Sequence, residues 1–400
     1  MLFEILLAVV VGCFLGVFTG LCPGVHINLV AVLILTYSVF FLKFVSPLFL
    51  AVVIASMSIT HTFLDTIPSI FLGAPDSDTV LSVLPGHRML IKGRGYEAVM
   101  LTVVGSLGAL VIVIALTPLV VFAVSKGYPL IKPFIGFVLV FSSAFLIWRE
   151  KKGRYWALVL FLLSGSVGIL VLNVLTLNDP LFPMLSGLFG TSMLVISVRE
   201  NTKIPKQKHK SITISKKCFW QALFSSVFSS SLCSFLPALG PTQAAIIGSQ
   251  FCKRLGDKGF LVLVGGISTV NMALSFVSLY VIGKARNGSI VTMSEIISNF
   301  NSDLMILFLG VALLSACIAT FLAVFFTSRF SAWICRVNYK ALCISIVIFI
   351  VLLVMFLSGF LGLLVLCVST FVGLFPAYLG IGRNHMMGCL ILPVILYFFL

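Results

Sequence analysis

The chain has 400 residues, 60% of them hydrophobic and only 9% charged, with a mean hydropathy of +1.22. This balance excludes a soluble globular domain, and the net charge of +15 does not signal nucleic-acid binding, because the 26 Lys and Arg sit almost wholly between apolar runs. The ten cysteines are scattered through apolar segments with no CxxC pair or metal-ligand spacing, so they read as small packing residues.

Met1–Leu21 reads as the first membrane helix, since a span takes about 20 residues. Its end belongs to Gly16–Asn28, GVFTGLCPGVHIN, where the apolar run breaks at Cys22-Pro23-Gly24, resumes and stops at Lys43. Pro47–Leu72 follows, interrupted by His61, Asp65 and Pro68, and Gly73–Glu97 reads as a polar loop with Arg88, Lys92 and Arg94. Four spans are expected near Ala98–Val124, Pro133–Trp148, Tyr155–Thr176 and Pro183–Val198. Arg199–Lys217 carries seven Lys or Arg residues and almost no apolar content. It divides the chain into a membrane repeat at 1–200, a basic linker at 201–217 and a second repeat at 218–400.

Beyond the linker the pattern returns. Cys218–Leu236 breaks at Pro237–Pro241, inside Ser229–Gln243 (SSSLCSFLPALGPTQ), and a short piece runs on to Cys252. Phe260–Ile282 is next, and spans near Leu304–Thr327, Ala341–Leu357, Phe360–Leu379 and Met386–Leu400 close the chain. Ser58–Val80 aligns with Ser268–Ile290 without a gap, matching His61 to Asn271 and Asp65 to Ser275. Broken apolar segments at corresponding places of a duplicated chain are a sequence pointer to a transporter's binding site.

Charge fixes an expected orientation. With the linker inside, Arg88–Arg94, Arg149–Arg154, Lys253–Lys258, Arg329–Lys340 and Arg383 all fall on the cytoplasmic side, and both termini fall outside. The scheme requires Met1–Leu42 and Cys218–Cys252 each to enter and leave by one face. Pro237–Cys252, about 24 Å long as a helix, is short for a span, so a re-entrant hairpin is favoured. The expected fold is an all-α, multi-pass plasma-membrane protein. It has two inverted-topology repeats, each a broken, re-entrant hairpin plus about five spans.

Irregular backbone at membrane depth needs protein or a water-filled cavity around it, and helices starting just after the breaks would aim N–H groups at an anion. The candidate substrate residues are therefore Thr19, Gly20, Pro23, Gly24, His26 and Asn28 in the first half. In the second half they are Pro237, Gly240, Pro241, Thr242, Gln243, Ser268 and Asn271. Proline-kinked helices packed through glycine are the competing reading. Asp65 lies well inside an apolar run with His61 one turn before it; an ionisable group there costs at least ~2.5 kcal/mol and marks function by default. His61, Asp65 and Thr66 are the candidate coupling residues for H⁺ or Na⁺, with structural satisfaction around Pro68 as the other reading of Asp65. Asp76-Ser77-Asp78 reads as turn residues or as a small cation ligand set. Arg88, Lys92 and Arg94 read as a cytoplasmic anchor or an anion-attracting vestibule. HExxH, GxSxG and GxxxxGK[ST] are absent, so no enzyme, resident cofactor or structural metal is expected.

These residues resemble the large membrane subunit of the tripartite tricarboxylate transporters, the TctA family, and most closely its archaeal, stand-alone branch. GVFTGLCPGVHIN is similar to the family's G-x-x-x-G-x-x-P-G-x-x-P-T element, with His26 and Asn28 in place of the proline-threonine pair. Ser234–Gln243 matches its LGPT ending, and Leu64-Asp65-Thr66 stands where the family has glycine-glycine-serine. Ile70–Val99 resembles the family's long cytoplasmic motif, with Gly86, Gly93, Arg94, Glu97 and Ala98 on its tail. The resemblance implies an all-helical permease with inverted repeats that takes up carboxylates with a small membrane subunit and a soluble binding protein; cation-coupled alternating access is the mechanism expected from His61 and Asp65 themselves. A fainter resemblance, to proteins that translocate polyprenyl-phosphate carriers, keeps a lipid-phosphate flippase as the alternative. Membrane lipid and a second copy in a homodimer complete the expected partners.

Overall fold

A computed structural model describes residues 2–22, 27–72, 83–148, 150, 153–177, 180–200, 205–208, 212–235, 240–251, 255–285, 287–297, 299–336 and 338–399. The first half contains α1 (Leu2–Leu21), α2 (Ile27–Thr36), α3 (Ser38–Phe41), α4 (Pro47–Leu64), α5 (Thr66–Phe71) and α6 (Val83–Ile91). It continues with α7 (Gly95–Ala115), α8 (Thr117–Ile131), α9 (Ile135–Trp148), α10 (Arg154–Ile169), α11 (Leu181–Leu185) and α12 (Ser192–Glu200). The second half contains α13 (Lys216–Ser234), α14 (Pro241–Gln250), α15 (Gly256–Ile282), α16 (Gly288–Ile296), α17 (Ser302–Trp333), α18 (Tyr339–Leu379) and α19 (Gly388–Phe399). Among the described residues there is no strand, and seven helical segments are long and apolar enough to cross a membrane.

Local chemistry sets the helix ends. Ser46 caps α4 by accepting the Phe49 N–H, with Pro47 at the first helical position, where its missing N–H costs nothing. Asn287, Asn301 and Asn338 cap α16, α17 and α18 in the same way, and Gly283 ends α15 in the left-handed conformation.

Three expectations are corrected. The run Ala98–Val124 is two helices, split at Leu116, because Pro118 has no N–H for the carbonyl four residues back and is tolerated only in the first turn of a new helix. The polar stretch Gly73–Glu97 contains α6, which buries Pro85, Gly86, Met89 and Leu90 and leaves Arg88 exposed. The loop Lys284–Asp303 contains α16, packed on α2 and α4. Both stretches are too polar to span, yet each has enough apolar residues on one face to dock. Two π-helical segments also interrupt expected regular spans, at Leu170–Val174 and Ser186–Thr191. The sharp bend in α18 sits at Gly359 (φ 64°, ψ −161°), between the two expected spans. There Val354 Cγ1 lies 3.3 Å from where a Cβ on Gly362 would stand, which a straight helix does not allow across eight residues.

Lipid gives helices no hydrophobic reason to associate, so close packing has to hold them together. α1 runs along α4 through Gly12, Gly16 and Gly20, where added Cβ atoms would lie 2.5 Å from Val53 O, 2.6 Å from Thr60 Cβ and 2.7 Å from Leu64 Cβ. α13 runs along α15, and the halves then exchange partners: α7 packs on α15 and α17 packs on α4. At the α7–α15 contact a Cβ on Gly105 would sit 2.2 Å from Val262 O, and one on Gly265 2.3 Å from Thr102 O. The large core that results draws on both halves. A smaller core joins Phe161 of α10 and Met184 of α11 to Val372 of α18, Met386 in the 3-10 turn Arg383–Met387 and Cys389 at the start of α19.

The described part of the linker is docked. Lys208 N donates to Gly93 O (2.8 Å), and Gln207 bridges Gly95 N (2.8 Å) and Leu90 O (3.1 Å). Gly93 (φ 72°) must be glycine, since a Cβ would meet Lys206 O at 2.9 Å. Beside it the fully buried Glu97 is ion-paired with Arg94 (2.5 Å) and with Lys258 of α15 (3.0 Å), and accepts from the Thr213 N–H (3.3 Å) and hydroxyl (3.0 Å). One carboxylate thus ties the first half, the linker and the second half together.

Candidate functional site

The centre of the large core is polar. Every residue of α4 from Leu50 to Leu64 is buried, and Ser56, Ser58, Thr60, His61 and Thr62 are among them, followed by buried Asp65, Thr66 and Ser69. α15 buries Ser268, Thr269, Ser275 and Ser278 in the same region. Where the two helices cross, the Thr62 and Thr269 hydroxyls are 3.1 Å apart, and Thr102 of α7 donates to Thr66 at 3.2 Å. This seam joins the two halves at their middle helices.

Each half presents the last turn of its first helix to the matched position of the next. His61 Nδ1 lies 3.2 Å from Thr19 Oγ1, and Gly20 packs against Leu64 and the Asp65 N–H. In the second half Ser234 donates to Asn271 Oδ1 at 2.9 Å, and Ser230 donates to Ile267 O at 3.2 Å. Thr19 and Gly20 therefore meet the His61–Asp65 turn in the first half and Ser234 meets Asn271 in the second, with Thr62 and Thr269, neighbours of His61 and Ser268 in the chain, making the contact across. Asp65 sits at the turn between α4 and α5, its carbonyl accepting from the Ser69 hydroxyl at 2.8 Å. The Ser268 hydroxyl is fully buried and has no hydrogen-bond partner among the described residues.

Asn28 is placed differently. In the first turn of α2 its Oδ1 accepts from Ser289 N at 2.9 Å, so it caps α16 together with Asn287; the Ser289 hydroxyl in turn lies 2.9 Å from that of Ser58. Asn28 thus braces the first half against the second. Gly240 and Pro241 open α14, with Ala244 N donating to Gly240 O at 3.1 Å. Thr242 and Gln243 occupy its first turn, their side chains outside the described residues, as are Pro23, Gly24, His26, Pro237 and the Asp76-Ser77-Asp78 set. No group of three or more His, Cys, Asp or Glu residues suited to a metal ion exists among the described residues.

Sequence reasoning missed Thr102, Thr269 and Ser289, lone hydroxyls whose importance comes only from the helix crossing. It also missed Glu97 as an interior carboxylate, although the Gly93-Arg94-Gly95 turn before it was a signal.

The sequence profile of the "Tripartite tricarboxylate transporter TctA family" matches residues 6–388. The chain belongs to the TctA family. It is 31% identical over 403 residues to the uncharacterized protein MJ1079 of Methanocaldococcus jannaschii, covering 98% of each chain. No solved structure matches it. Family and helices together make this a multi-pass membrane protein of a transporter family.

Proposed function

We propose that this protein is a secondary transporter of an anionic, carboxylate-type small molecule, working by alternating access and coupled to H⁺ or Na⁺. The observation that carries the reading is the polar α4–α15 seam, which includes His61 and buried Asp65. Ionisable groups are expensive at membrane depth and mark substrate or ion pathways. His61, Asp65 and Thr66 are assigned to coupling. Thr19, Gly20, Ser268 and Asn271 line the substrate path, and the first turns of α2 and α14 offer helix N-terminal N–H groups to the anion. Asn28 reaches that path as a brace between the halves.

The partner exchange of α4 with α17 and α15 with α7, and the matched Thr19–His61 and Ser234–Asn271 contacts, support two inverted repeats with re-entrant α1–α2 and α13–α14 pairs. The tripartite character of the family supports a small membrane subunit and a binding protein as partners.

The test is uptake of radiolabelled citrate and related carboxylates into proteoliposomes across a range of pH and Na⁺. Asp65→Asn is expected to stop or uncouple uptake and to flatten its cation dependence, with His61→Gln milder. Uptake by Asp65→Asn with unchanged cation dependence removes the coupling role. Failure of the wild type to move any carboxylate, with or without partner subunits, refutes the function.

A further inference from the structure

At the end of the smaller core nearest the linker, three arginines gather without a carboxylate partner among the described residues, whereas in the large core a single arginine, Arg329, is likewise supported by a ring, Phe325 at 5.3 Å. In the large core Arg88 pairs with Asp257 (2.6 Å), and Arg94 and Lys258 share Glu97. In the smaller one, no carboxylate is ion-paired with Arg154, Arg199 or Arg383 among the described residues. Arg154 lies over the Trp148 ring at 5.6 Å, and Arg199 lies over Tyr378 at 5.8 Å while donating to its hydroxyl at 2.7 Å. Arg383 is half-buried and, among the described residues, donates one long bond, 3.4 Å to Ser192 Oγ, so most of its five donors are unspent there. Glu150, the nearby acid, is engaged by His385 Nε2 (3.1 Å) and Gly382 N (3.4 Å). Burial lowers the Arg383 guanidinium to about 10, which leaves it charged at neutral pH.

The three arginines share one end of the fold. Gly153, next to Arg154, packs on Ile381, two residues from Arg383; Arg383 reaches Ser192 at the start of α12, and Arg199 lies near the end of that helix. Around them Trp148, Tyr155, Trp156 and Tyr378 are all more than half exposed. Exposed Trp and Tyr rings mark the level of the lipid headgroups, and unpaired arginines at that level meet phosphates.

We propose that Arg383, positioned by Ser192, forms with Arg154 and Arg199 a binding site for the phosphate of an anionic phospholipid on the linker side of the membrane. The guanidinium fork suits a phosphate oxygen pair, Ser192, whose own hydroxyl proton goes to Leu188 O (2.8 Å), holds that fork in place, and the ring-supported arginines supply the field. Bound lipid would brace α10, α12 and the end of α18 without occupying the α4–α15 seam, so the site stands apart from the transport reading.

The test uses full-length protein, delipidated in detergent, and counts adducts by native mass spectrometry against phosphatidylglycerol, phosphatidylcholine, inorganic phosphate and citrate. Wild type is expected to hold one phosphatidylglycerol in strong preference to phosphatidylcholine. The preference should fall roughly fivefold for each of Arg154→Gln, Arg199→Gln and Arg383→Gln. Arg383→Lys should retain part of it, which separates a lost site from a lost fold, and Arg88→Gln, at the paired end, should leave it unchanged. Equal binding of the two lipids overturns the proposal, as does an undiminished preference in Arg199→Gln and Arg383→Lys together with Arg383→Gln. Binding of phosphate or citrate that depends on Arg383, with no lipid preference, overturns it in favour of a soluble oxyanion site.

Discussion

Replacing Glu97 by Gln keeps the size of the side chain, removes its charge and turns the oxygen facing Arg94 into an NH2 that can only donate, so it weakens what holds the linker down. The carboxylate now takes charged hydrogen bonds from Arg94 (2.7 Å) and Lys258 (3.0 Å) besides the two from Thr213. A bond to a charged group is worth about 1.5–3 kcal/mol against about 1 for a neutral pair, so the linker's two bonds from Thr213, becoming neutral, cost about 2 kcal/mol together. The ~3–5 kcal/mol of a fully buried pair is not reached, because the Arg94 and Lys258 side chains are 34% and 27% exposed and water takes over part of their solvation. At about 1.4 kcal/mol per factor of ten, the population with an undocked linker rises roughly 30-fold. Trypsin reports this directly: Lys206 and Lys208 lie in the docked stretch, and cleavage there follows the open population when reclosing outpaces cutting. Glu97→Gln should be cut at these lysines roughly 30 times faster than wild type, while cleavage at Arg329 and Arg336 stays unchanged. Equal rates at Lys206 and Lys208 would refute the docking energetics. A parallel rise at Arg329 and Arg336 would mean general unfolding instead of linker release.

Gly265→Ala places a methyl 2.3 Å from Thr102 O and displaces the Ser106 bond to Gly265 O, so α7 and α15 must part; gel filtration should show loss of the monodisperse protein, and unaltered thermal stability would contradict the close crossing. Gly359→Ala forces a side chain into φ 64°, ψ −161°, which only glycine adopts readily, and should cost about 1–3 kcal/mol in detergent unfolding. Asn28→Ala removes one of two acceptors on Ser289 N; since Asn287 remains at 3.1 Å, the cost should stay below about 1 kcal/mol. A much larger loss of stability would show that Asn287 does not cap α16 alone. His61→Asn, which copies the residue at the matched position of the second half, should leave folding intact and weaken the pH dependence of uptake; misfolding of that variant would show that the imidazole is needed for packing.

The apolar runs, the breaks before α2 and α14 and the bend within α18 were legible because lipid demands long apolar segments and proline or glycine marks their ends. α6 and α16 were not, because short docked helices have the composition of loops, and only the neighbouring α5, α2 and α4 surfaces decide between the two. The linker read as a solvated basic stretch for a similar reason. Its docking depends on the backbone of Gln207, Lys208 and Thr213 meeting Gly93, Gly95 and Glu97, some 115 residues away, and no local pattern encodes that pairing. The substrate candidates divide along the same line. Residues that act through their position on a helix, such as Thr19, His61 and Asn271, could be found by spacing. Thr102, Thr269 and Ser289 act through a crossing and could not.

The matched contacts also bear on what His61 is for. Asn271 stands in its place in the second half and meets a hydroxyl from the last turn of the preceding helix, Ser234, just as His61 meets Thr19. The geometry of that position is therefore met by a neutral amide. An imidazole adds bulk, a second ring nitrogen and the ability to take up a proton, and none of these is required to hold two helices together. The same comparison applies one turn later, where Ser275 satisfies itself on the Asn271 carbonyl at 2.9 Å and the first half has Asp65. Two positions filled by neutral residues in one half carry ionisable groups in the other, inside a core that makes such groups expensive. If packing were their whole purpose, the cheaper solution already present in the second half would serve in the first. The asymmetry is what the proposed coupling role of the first half requires, and His61→Asn and Asp65→Asn together test it.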